Sequence, residues 1–496
     1  MSEYTADKEF FVNVQTPDWV KHAVFYQIFP DRFRRGAKMQ HVRGIQLKPW
    51  GSPPTEQGYQ GGDLYGVAEK LDYLKDLGIN AIYLNPIFSA ASNHRYNAYD
   101  YMQVDPLLGG NDALRLLLDE AHRRGIKIVL DLVPNHCGRG FWAFHHILEN
   151  DGNSPYLDWF TIKGFPLHPY PTSRDQNPNY ACWWNVVSLP KLNVYNPGVR
   201  DYLLNVTRYW LQFGIDGWRL DVAEEIRDDN FWREFRQAAK SVNPEAYIVA
   251  EIWHEAAHWL QGDMFDAVMN YQVTAPIYNF FGRYNLNTSW HHPDVNLHPI
   301  DGAGFRQDIE TLFNRYAWEI NYAQMNMLDS HDMPRGLWLL KNNEAAFKLA
   351  ILAQMTLPGA PCVYYGDEVG LSAGGDPHCR EAFPWERAEQ GEHPMHAFYK
   401  QVISLRHVTP ALQTGDFAFL QASGDTVVYR RRLDGKEAIV AFNAGGGKAS
   451  LALDSERLSA QDYRPAWPAK RSEIHVQDGR LALVLPAQSA LVLVSK

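Results

Sequence analysis

The sequence predicts an α/β fold, a (β/α)8 TIM barrel with an insertion after strand three and a C-terminal antiparallel β domain. Helix-period segments repeatedly end at Gly-Ile and lead into short apolar strands. We count eight such strand candidates, which is the strand number of this barrel. Beyond about residue 405 the pattern changes to short alternating strands separated by turn residues. A doubly wound sheet is the alternative, but no GxGxxG motif follows the first strand, which disfavours a dinucleotide-binding fold.

The repeated unit is a helix, a glycine and a strand. It occurs at Gly78, Gly125 and Gly214, each preceded by apolar residues on one helical face and followed by Ile. Glycine after a last helical turn adopts the left-handed conformation at no steric cost. Units of this kind are typical of a parallel sheet. The predicted strands are 24–30, 81–87, 127–134, 217–223, 247–252, 267–273, 323–331 and 361–368.

The chain of 496 residues is long enough for two or three domains. Segment 137–196 is rich in Pro, Asn and Trp and has little periodicity, and a long excursion from a barrel strand is usually functional. We predict four divisions: 1–136, the first part of the barrel; 137–196, an inserted subdomain; 197–405, the second part of the barrel; and 406–496, a C-terminal β-sandwich domain.

Composition excludes several classes of function. The net charge of −10 argues against a nucleic-acid partner and against an anionic membrane. No CxxC pair is present, so the four cysteines favour buried thiols over a zinc site. Residues 1–8 have no signal-peptide pattern, and no stretch approaches 18 apolar residues. A cytoplasmic location is therefore expected.

Acidic residues follow three of the predicted strands. Asp221, Glu251 and Asp332 come after apolar lead-ins, and the C-terminal ends of barrel strands face a shared cleft. One such acid alone is more often a helix cap or a surface ion pair. Several carboxylates in one partly dry site are costly unless chemistry uses them. The pattern predicts a carboxylate-catalysed hydrolase.

Glycosidic bonds suit this arrangement, because a retaining enzyme uses one ionised and one protonated carboxyl group. Arg219 lies two residues before Asp221 on the same strand face, where a guanidinium is expected to keep that carboxylate ionised. The apolar residues after Glu251 favour a carboxyl that holds its proton. A non-catalytic glycan-binding protein is disfavoured because all three acids are present.

Four motifs carry a family resemblance. In order they are DLVPNH at 131–136, GWRLDVAEE at 217–225, EIWH at 251–254 and LDSHD at 328–332. With them the chain resembles the α-amylase family of retaining glycoside hydrolases over nearly its whole length. The resemblance implies that Asp221 is the nucleophile, Glu251 the acid/base and Asp332 the stabiliser of the transition state.

The same resemblance implies a set of sugar-binding residues. His136, Arg219 and His331 would line the −1 subsite, which holds the sugar on the non-reducing side of the scissile bond. Tyr96 looks like the tyrosine that stacks on that sugar. Asp376 and Arg380 look like the pair that binds the next sugar.

A subgroup is also indicated. The sequence LPKLN at 189–193 is similar to the MPKLN of the neopullulanase, cyclomaltodextrinase and maltogenic amylase group. By this resemblance Trp253 is an aromatic platform on the leaving-group side, and Glu225 favours sugar acceptors over water. Glu224 stands where the group typically has Asn. The group's N-terminal β-sandwich is expected to be absent, since strand one begins near Val24.

The predicted function is hydrolysis of α-1,4-glucosidic bonds in cyclic or short α-glucooligosaccharides, with transglycosylation as a side activity. An α-glucan transglycosylase and an α-glucosidase are the alternatives. No cofactor is expected to be required. Calcium is possible, for example at Asn135, but the basic loop 34–43 offers few of the oxygen ligands that calcium needs. The oligomeric state is either a monomer or a homodimer.

Overall fold

Eight parallel strands close a barrel in the order in which they follow one another along the chain. All eight predicted strands are present. Each ends before its predicted C-terminal limit or close to it, because the residues after it turn into the loops that build the cleft. The strands are Phe25–Ile28, Ala81–Leu84, Lys127–Leu132, Gly217–Leu220, Tyr247–Ala250, Ala267–Asn270, Met325–Met327 and Ala360–Tyr364.

The computed structural model describes residues 14–40, 44–173, 175–390, 393–469 and 474–496. The N-terminal segment 1–8 and residues 41–43 of the basic loop, both interpreted above, lie outside the described residues. Across these described ranges, no helix has the length and apolar character that a membrane crossing requires.

Helices connect the barrel strands. The glycine prediction is confirmed, with φ of 100° at Gly78, 71° at Gly125 and 114° at Gly214. The single helix expected before Gly78 is instead two helices that meet at Lys70. The α-helices span Asp18–Lys21, Pro30–Phe33, Leu64–Glu69, Leu71–Leu77, Gly110–Arg123, Trp142–Asn150, Pro197–Phe213, Asp229–Val242, Tyr271–Phe281, Gly302–Asn314, Trp318–Ala323, Gly336–Leu339, Glu344–Thr356, Trp385–Glu389, Pro394–Val408 and Ala411–Thr414.

Two excursions leave the C-terminal ends of barrel strands. After strand two comes a hairpin of Phe88–Ala90 and Ala98–Val104, which the sequence analysis did not predict. After strand three comes segment 137–196, with one α-helix and several isolated bridges. One bridge pairs His136 with Lys191 and so fixes the far end of the excursion against the barrel.

The C-terminal part consists of antiparallel sheets, as predicted. A six-stranded sheet and a two-stranded sheet enclose a separate apolar core. The strands are Asp416–Ser423, Thr426–Leu433, Lys436–Asn443, Ala449–Asp454, Asp462–Trp467, Ile474–His475, Arg480–Leu485 and Ser489–Ser495.

One buried arginine joins this part to the barrel, and a second lies near it on helix Pro394–Val408. Arg431, on the six-stranded sheet, donates to the carbonyl oxygens of Thr356 and Leu412 at 2.8 and 2.9 Å. Arg406 donates to the carbonyls of Met355 and Gly359. Burial lowers the pKa of Arg431 to about 10 and that of Arg406 to about 9. Backbone dipoles, including those at the end of helix Glu344–Thr356, therefore hold both cations.

Candidate active site

Arg219 is the centre of the cleft and is fully buried. Its Nη1 lies 2.8 Å from Oδ1 of Asp221 and 3.0 Å from Oδ1 of Asp131, and its Nη2 lies 2.9 Å from Oε2 of Glu251. These acids stand at the ends of strands three, four and five, which are neighbours in the barrel. One guanidinium therefore binds both proposed reacting carboxyl groups.

Burial raises the pKa of two of these acids, Asp131 and Asp221. It raises the pKa of Asp131 to about 6 and that of Asp221 well above its usual range. The Arg219 guanidinium opposes this rise, as the sequence predicted, but it does not outweigh burial together with the charges of Glu251 and Asp131. The carboxyl groups thus compete for one buried cation.

Glu251 lies among donors and not in the apolar surroundings expected from Ile252 and Trp253. The backbone N–H of Val222 donates to Oε2 at 2.9 Å, and the indole N–H of Trp253 donates to Oε1 at 3.1 Å. The expectation was wrong because Trp253 presents its polar edge to the carboxylate. These donors fix the position of Glu251 beside Asp221.

Trp253 has no free face for a sugar. The ring of Tyr271 lies 3.5 Å from it on centroids and is parallel within 4°, and His292 stacks on it at 4.0 Å. Trp290 continues the stack beyond His292 at 5.9 Å. The prediction that Trp253 is a sugar platform is contradicted, because both faces of the indole are covered.

Asp332 lies across the cleft and is about one-third exposed. Its Oδ2 is 3.0 Å from Nε2 of His331, and its Oδ1 accepts from Nη2 of Arg380 at 3.1 Å. Arg380 also pairs with Asp376 at 2.9 Å. The structure therefore brings together these four residues, as predicted, on the loops after strands seven and eight.

Tyr96 links the two sides of the site. Its hydroxyl donates to Oδ2 of Asp131 at 3.0 Å and contacts Nε2 of His331 at 2.6 Å. The side-chain amide of Gln27 contacts Nδ1 of His331 at 2.9 Å, which assigns the imidazole proton to Nε2. Burial lowers the pKa of His331 well below its ordinary value, so this ring is neutral.

Some residues of the site were not predicted. The hydroxyl of Tyr83 donates to Asp131 at 2.6 Å, and the side-chain amide of Asn85 donates to the Tyr96 hydroxyl. The available signal was a polar side chain in or directly after an apolar strand, as at Gln27 and Asn85. His292 and Trp290 lie on an irregular loop and carried no such signal.

His136 begins a second aromatic stack. Its imidazole is buried close to the backbone of Tyr96, and burial lowers its pKa to about 3. Trp183 lies over it at 5.1 Å with ring planes 13° apart, and Trp184 lies over Trp183 at 4.7 Å and 15°. The predicted −1 residue is thus the inner end of a column that reaches the surface.

Glu224 and Glu225 lie in the 3-10 turn directly after Asp221 and Val222. Glu225 accepts from Nζ of Lys191 at 2.9 Å, and both side chains are one-third exposed. Glu224 pairs with His254, and this pairing is among the causes that raise the pKa of the imidazole. In the part of the chain that the structure describes, no three His, Cys, Asp or Glu side chains form a group suited to a metal ion.

The α-amylase catalytic-domain family matches residues 27–402 of this chain. The chain belongs to the α-amylase family. It is 44% identical over 430 residues to a cyclomaltodextrinase of Geobacillus thermopakistaniensis, a match that covers 86% of this chain and 69% of the relative. This family member is a glycoside hydrolase of α-glucans, and the predicted resemblance is confirmed.

Solved structures agree with this assignment. The debranching enzyme of Nostoc punctiforme has a TM-score of 0.89 and 44% identity, covering 97% of this chain and 99% of that one. The cyclic α-maltosyl-(1→6)-maltose hydrolase of Arthrobacter globiformis, in complex with its cyclic ligand, has a TM-score of 0.85 and 36% identity over 97% and 100%. The α-amylase family fold therefore extends over nearly the whole chain.

Proposed function

We propose that the enzyme hydrolyses α-1,4-glucosidic bonds in cyclic or short α-glucooligosaccharides, with retention of configuration. The observation that carries the proposal is the pairing of Asp221 and Glu251 on one guanidinium at adjacent strand ends. A retaining enzyme needs its two carboxyl groups close together, about 5 Å apart, whereas an inverting enzyme separates them to admit water. Shared binding to Arg219 favours the closer arrangement.

In the first step Asp221 attacks the anomeric carbon. Glu251, as the acid, transfers its proton to the glycosidic oxygen, so the bond to the leaving sugar breaks and a glycosyl ester forms on Asp221. Positive charge develops on the sugar ring in the transition state. Asp332, held by Arg380, supplies a facing carboxylate that stabilises this charge.

In the second step Glu251 acts as the base. It takes a proton from water, the water oxygen attacks the anomeric carbon, and the ester to Asp221 breaks. A sugar hydroxyl in place of water gives a transfer product. Our proposal of transglycosylation as a side activity rests on Glu225, which is one-third exposed, follows Asp221 closely in sequence and pairs with Lys191.

Substrate size is proposed to be limited by segment 137–196. It is fixed to the barrel by the bridge between His136 and Lys191 and extended across to the nucleophile loop by the ion pair of Lys191 with Glu225. Held in this way, segment 137–196 is proposed to disfavour binding of a long helical or branched polymer in the cleft. The names of the cyclomaltodextrinase and of the cyclic maltosyl-maltose hydrolase support the same substrate class.

Two measurements test the proposal. Proton NMR of the first-formed product is expected to show the α-anomer, and an initial β-anomer would contradict retention. Initial rates per bond on cyclodextrins, maltotriose, pullulan, starch and a cyclic tetrasaccharide are expected to favour the cyclic and short substrates. Equal rates on starch and the cyclic tetrasaccharide would overturn the size preference.

The alternatives give different products. A transglycosylase would form longer oligosaccharides as its main products, and added glucose would increase them. An α-glucosidase would release only glucose from chain ends and leave cyclic substrates intact. We propose that no cofactor is required and that the chain works as a monomer or homodimer, which sedimentation analysis would decide.

A further inference from the structure

We propose that Trp184 is a stacking platform for a glucose unit of the substrate outside the −1 subsite. The proposal rests on the proposed function, because it assigns a binding position on the same α-glucan. The platform would extend the catalytic cleft along the outer edge of segment 137–196.

The first observation is the exposure of Trp184. Its side chain is 74% exposed, although Trp183 covers one face at 4.7 Å with the planes 15° apart. The uncovered area is therefore mainly the opposite face and the ring edge. A flat apolar face with solvent in front of it suits the C–H face of a pyranose, as aromatic rings in ligand sites do.

The second observation is the strained backbone that presents this ring. Trp184 has φ 46° and ψ 31°, and Asn185 has φ 60°. Left-handed conformation is unfavourable for a bulky side chain, and such strain clusters at functional sites. Trp184 and Asn185 are the two central residues of the turn that the Val186 N–H closes on the Trp183 carbonyl, and a bulky tryptophan here takes a position that Gly, Asn or Asp usually occupies.

The loop is also held in place at its base. The backbone N–H of Trp183 donates to the carbonyl of Leu189 at 3.1 Å, and that of Val186 donates back to Trp183 at 2.8 Å. Cys182 and Pro190 form a bridge on the same loop. Because these hydrogen bonds already fix the loop, the exposed indole loses little conformational entropy when it binds a sugar.

The third observation is continuity with the catalytic cleft. Trp184, Trp183 and His136 form one column of nearly parallel rings, and His136 lies beside Tyr96. The Trp184 ring is therefore separated from His136, a proposed residue of the −1 subsite, by the single ring of Trp183. An α-glucan that fills the catalytic subsites can reach this ring with its next units.

The test compares chain lengths. Steady-state kcat/KM is measured on maltooligosaccharides of increasing length for the wild type, W184A and W184F. Y170A is the matched control, because Tyr170 lies on the same segment, is 70% exposed and has the Arg139 guanidinium over its ring at 4.0 Å. For W184A we expect kcat/KM to fall about two- to tenfold for the longer substrates, as expected for the loss of one aromatic stacking contact.

The pattern across lengths decides the outcome. The shortest hydrolysed substrate is expected to keep its wild-type rate in W184A, W184F is expected to recover much of the loss, and Y170A is expected to behave as wild type at every length. An equal effect at all lengths, or none, would overturn the proposal. So would dissociation of a dimer by W184A in size-exclusion chromatography, which would place Trp184 in a subunit interface. The wild-type rates report separately on the proposed function.

Discussion

The indole N–H of Trp253 points at Oε1 of Glu251 from 3.1 Å, while Tyr271 and His292 cover the two faces of the same ring. The tryptophan thus contacts the proposed acid/base by its edge. Its faces belong to a stack of aromatic rings that continues through His292 to Trp290.

Replacing Trp253 by Phe removes this N–H and keeps an aromatic ring in the stack. We expect kcat to fall about tenfold or more with little change in KM, because a hydrogen bond to a charged group contributes about 1.5–3 kcal/mol. Steady-state kinetics on a short α-glucan measures kcat and KM separately. W318F, a change at a partly exposed tryptophan remote from Glu251, is the control. If W253F raises KM and leaves kcat unchanged, the sugar-platform role of Trp253 would be restored.

Neutral variants of the reacting acids are expected to lose turnover. D221N and E251Q each lower kcat by several orders of magnitude, since both groups act on the transition state. E251Q loses less on aryl glycosides with good leaving groups, which need no proton from Glu251. Wild-type turnover by E251Q on an unactivated glucan would refute the acid/base assignment.

D221N is also expected to be more stable than the wild type at neutral pH. Burial raises the pKa of Asp221, so the folded state disfavours its ionised form, and this cost is present above that raised pKa. The cost disappears at acid pH, below the ordinary carboxyl range. Thermal unfolding of both proteins at pH 7 and pH 4 is the measurement; a Tm advantage that does not shrink on acidification contradicts the explanation.

The barrel and its acids were predictable because their signals are local. Apolar strands after Gly78 and Gly214 show periodicity, and Asp221 and Glu251 follow directly in sequence. The surroundings of Trp253 were not predictable, because His292 arrives from an irregular loop and only tertiary packing brings it there. Gln27 could have been found, since an amide inside a fully buried strand needs a partner.

The acidic limb of the pH profile is expected above the ordinary carboxyl range. Burial raises the pKa of Asp131 to about 6 and that of Asp221 well above its usual range, so falling pH protonates both groups, and a protonated Asp221 does not act as the proposed nucleophile. In D131N one neighbouring negative charge is gone, so the limb of kcat/KM moves to lower pH, although the rate itself falls. D376N is the control, because Asp376 contacts Arg380 and not Arg219. An unmoved limb in D131N contradicts this coupling.

Chelation is expected to leave most of the activity intact. Near the basic loop, the carboxylate of Asp31 accepts from the backbone of Gln60 and Gly61 and from Nε of Arg32, at 2.8–3.0 Å. Asp63 accepts from the backbone N–H groups of Gly36 and Gly66. These donors occupy the oxygens that calcium would need. Rates before and after EDTA check this; complete loss that calcium restores would show a required ion.

The buried arginines between barrel and sheet have a consequence for modular engineering. Arg431 belongs to the C-terminal sheet, yet Thr356 and Leu412, whose carbonyls hold it, belong to the preceding part of the chain. A graft that replaces the sheet without an arginine at this position removes this donor from the Thr356 carbonyl and leaves the Leu412 carbonyl to Arg406 alone. A sheet taken from another enzyme therefore has to supply an arginine that reaches the end of helix Glu344–Thr356.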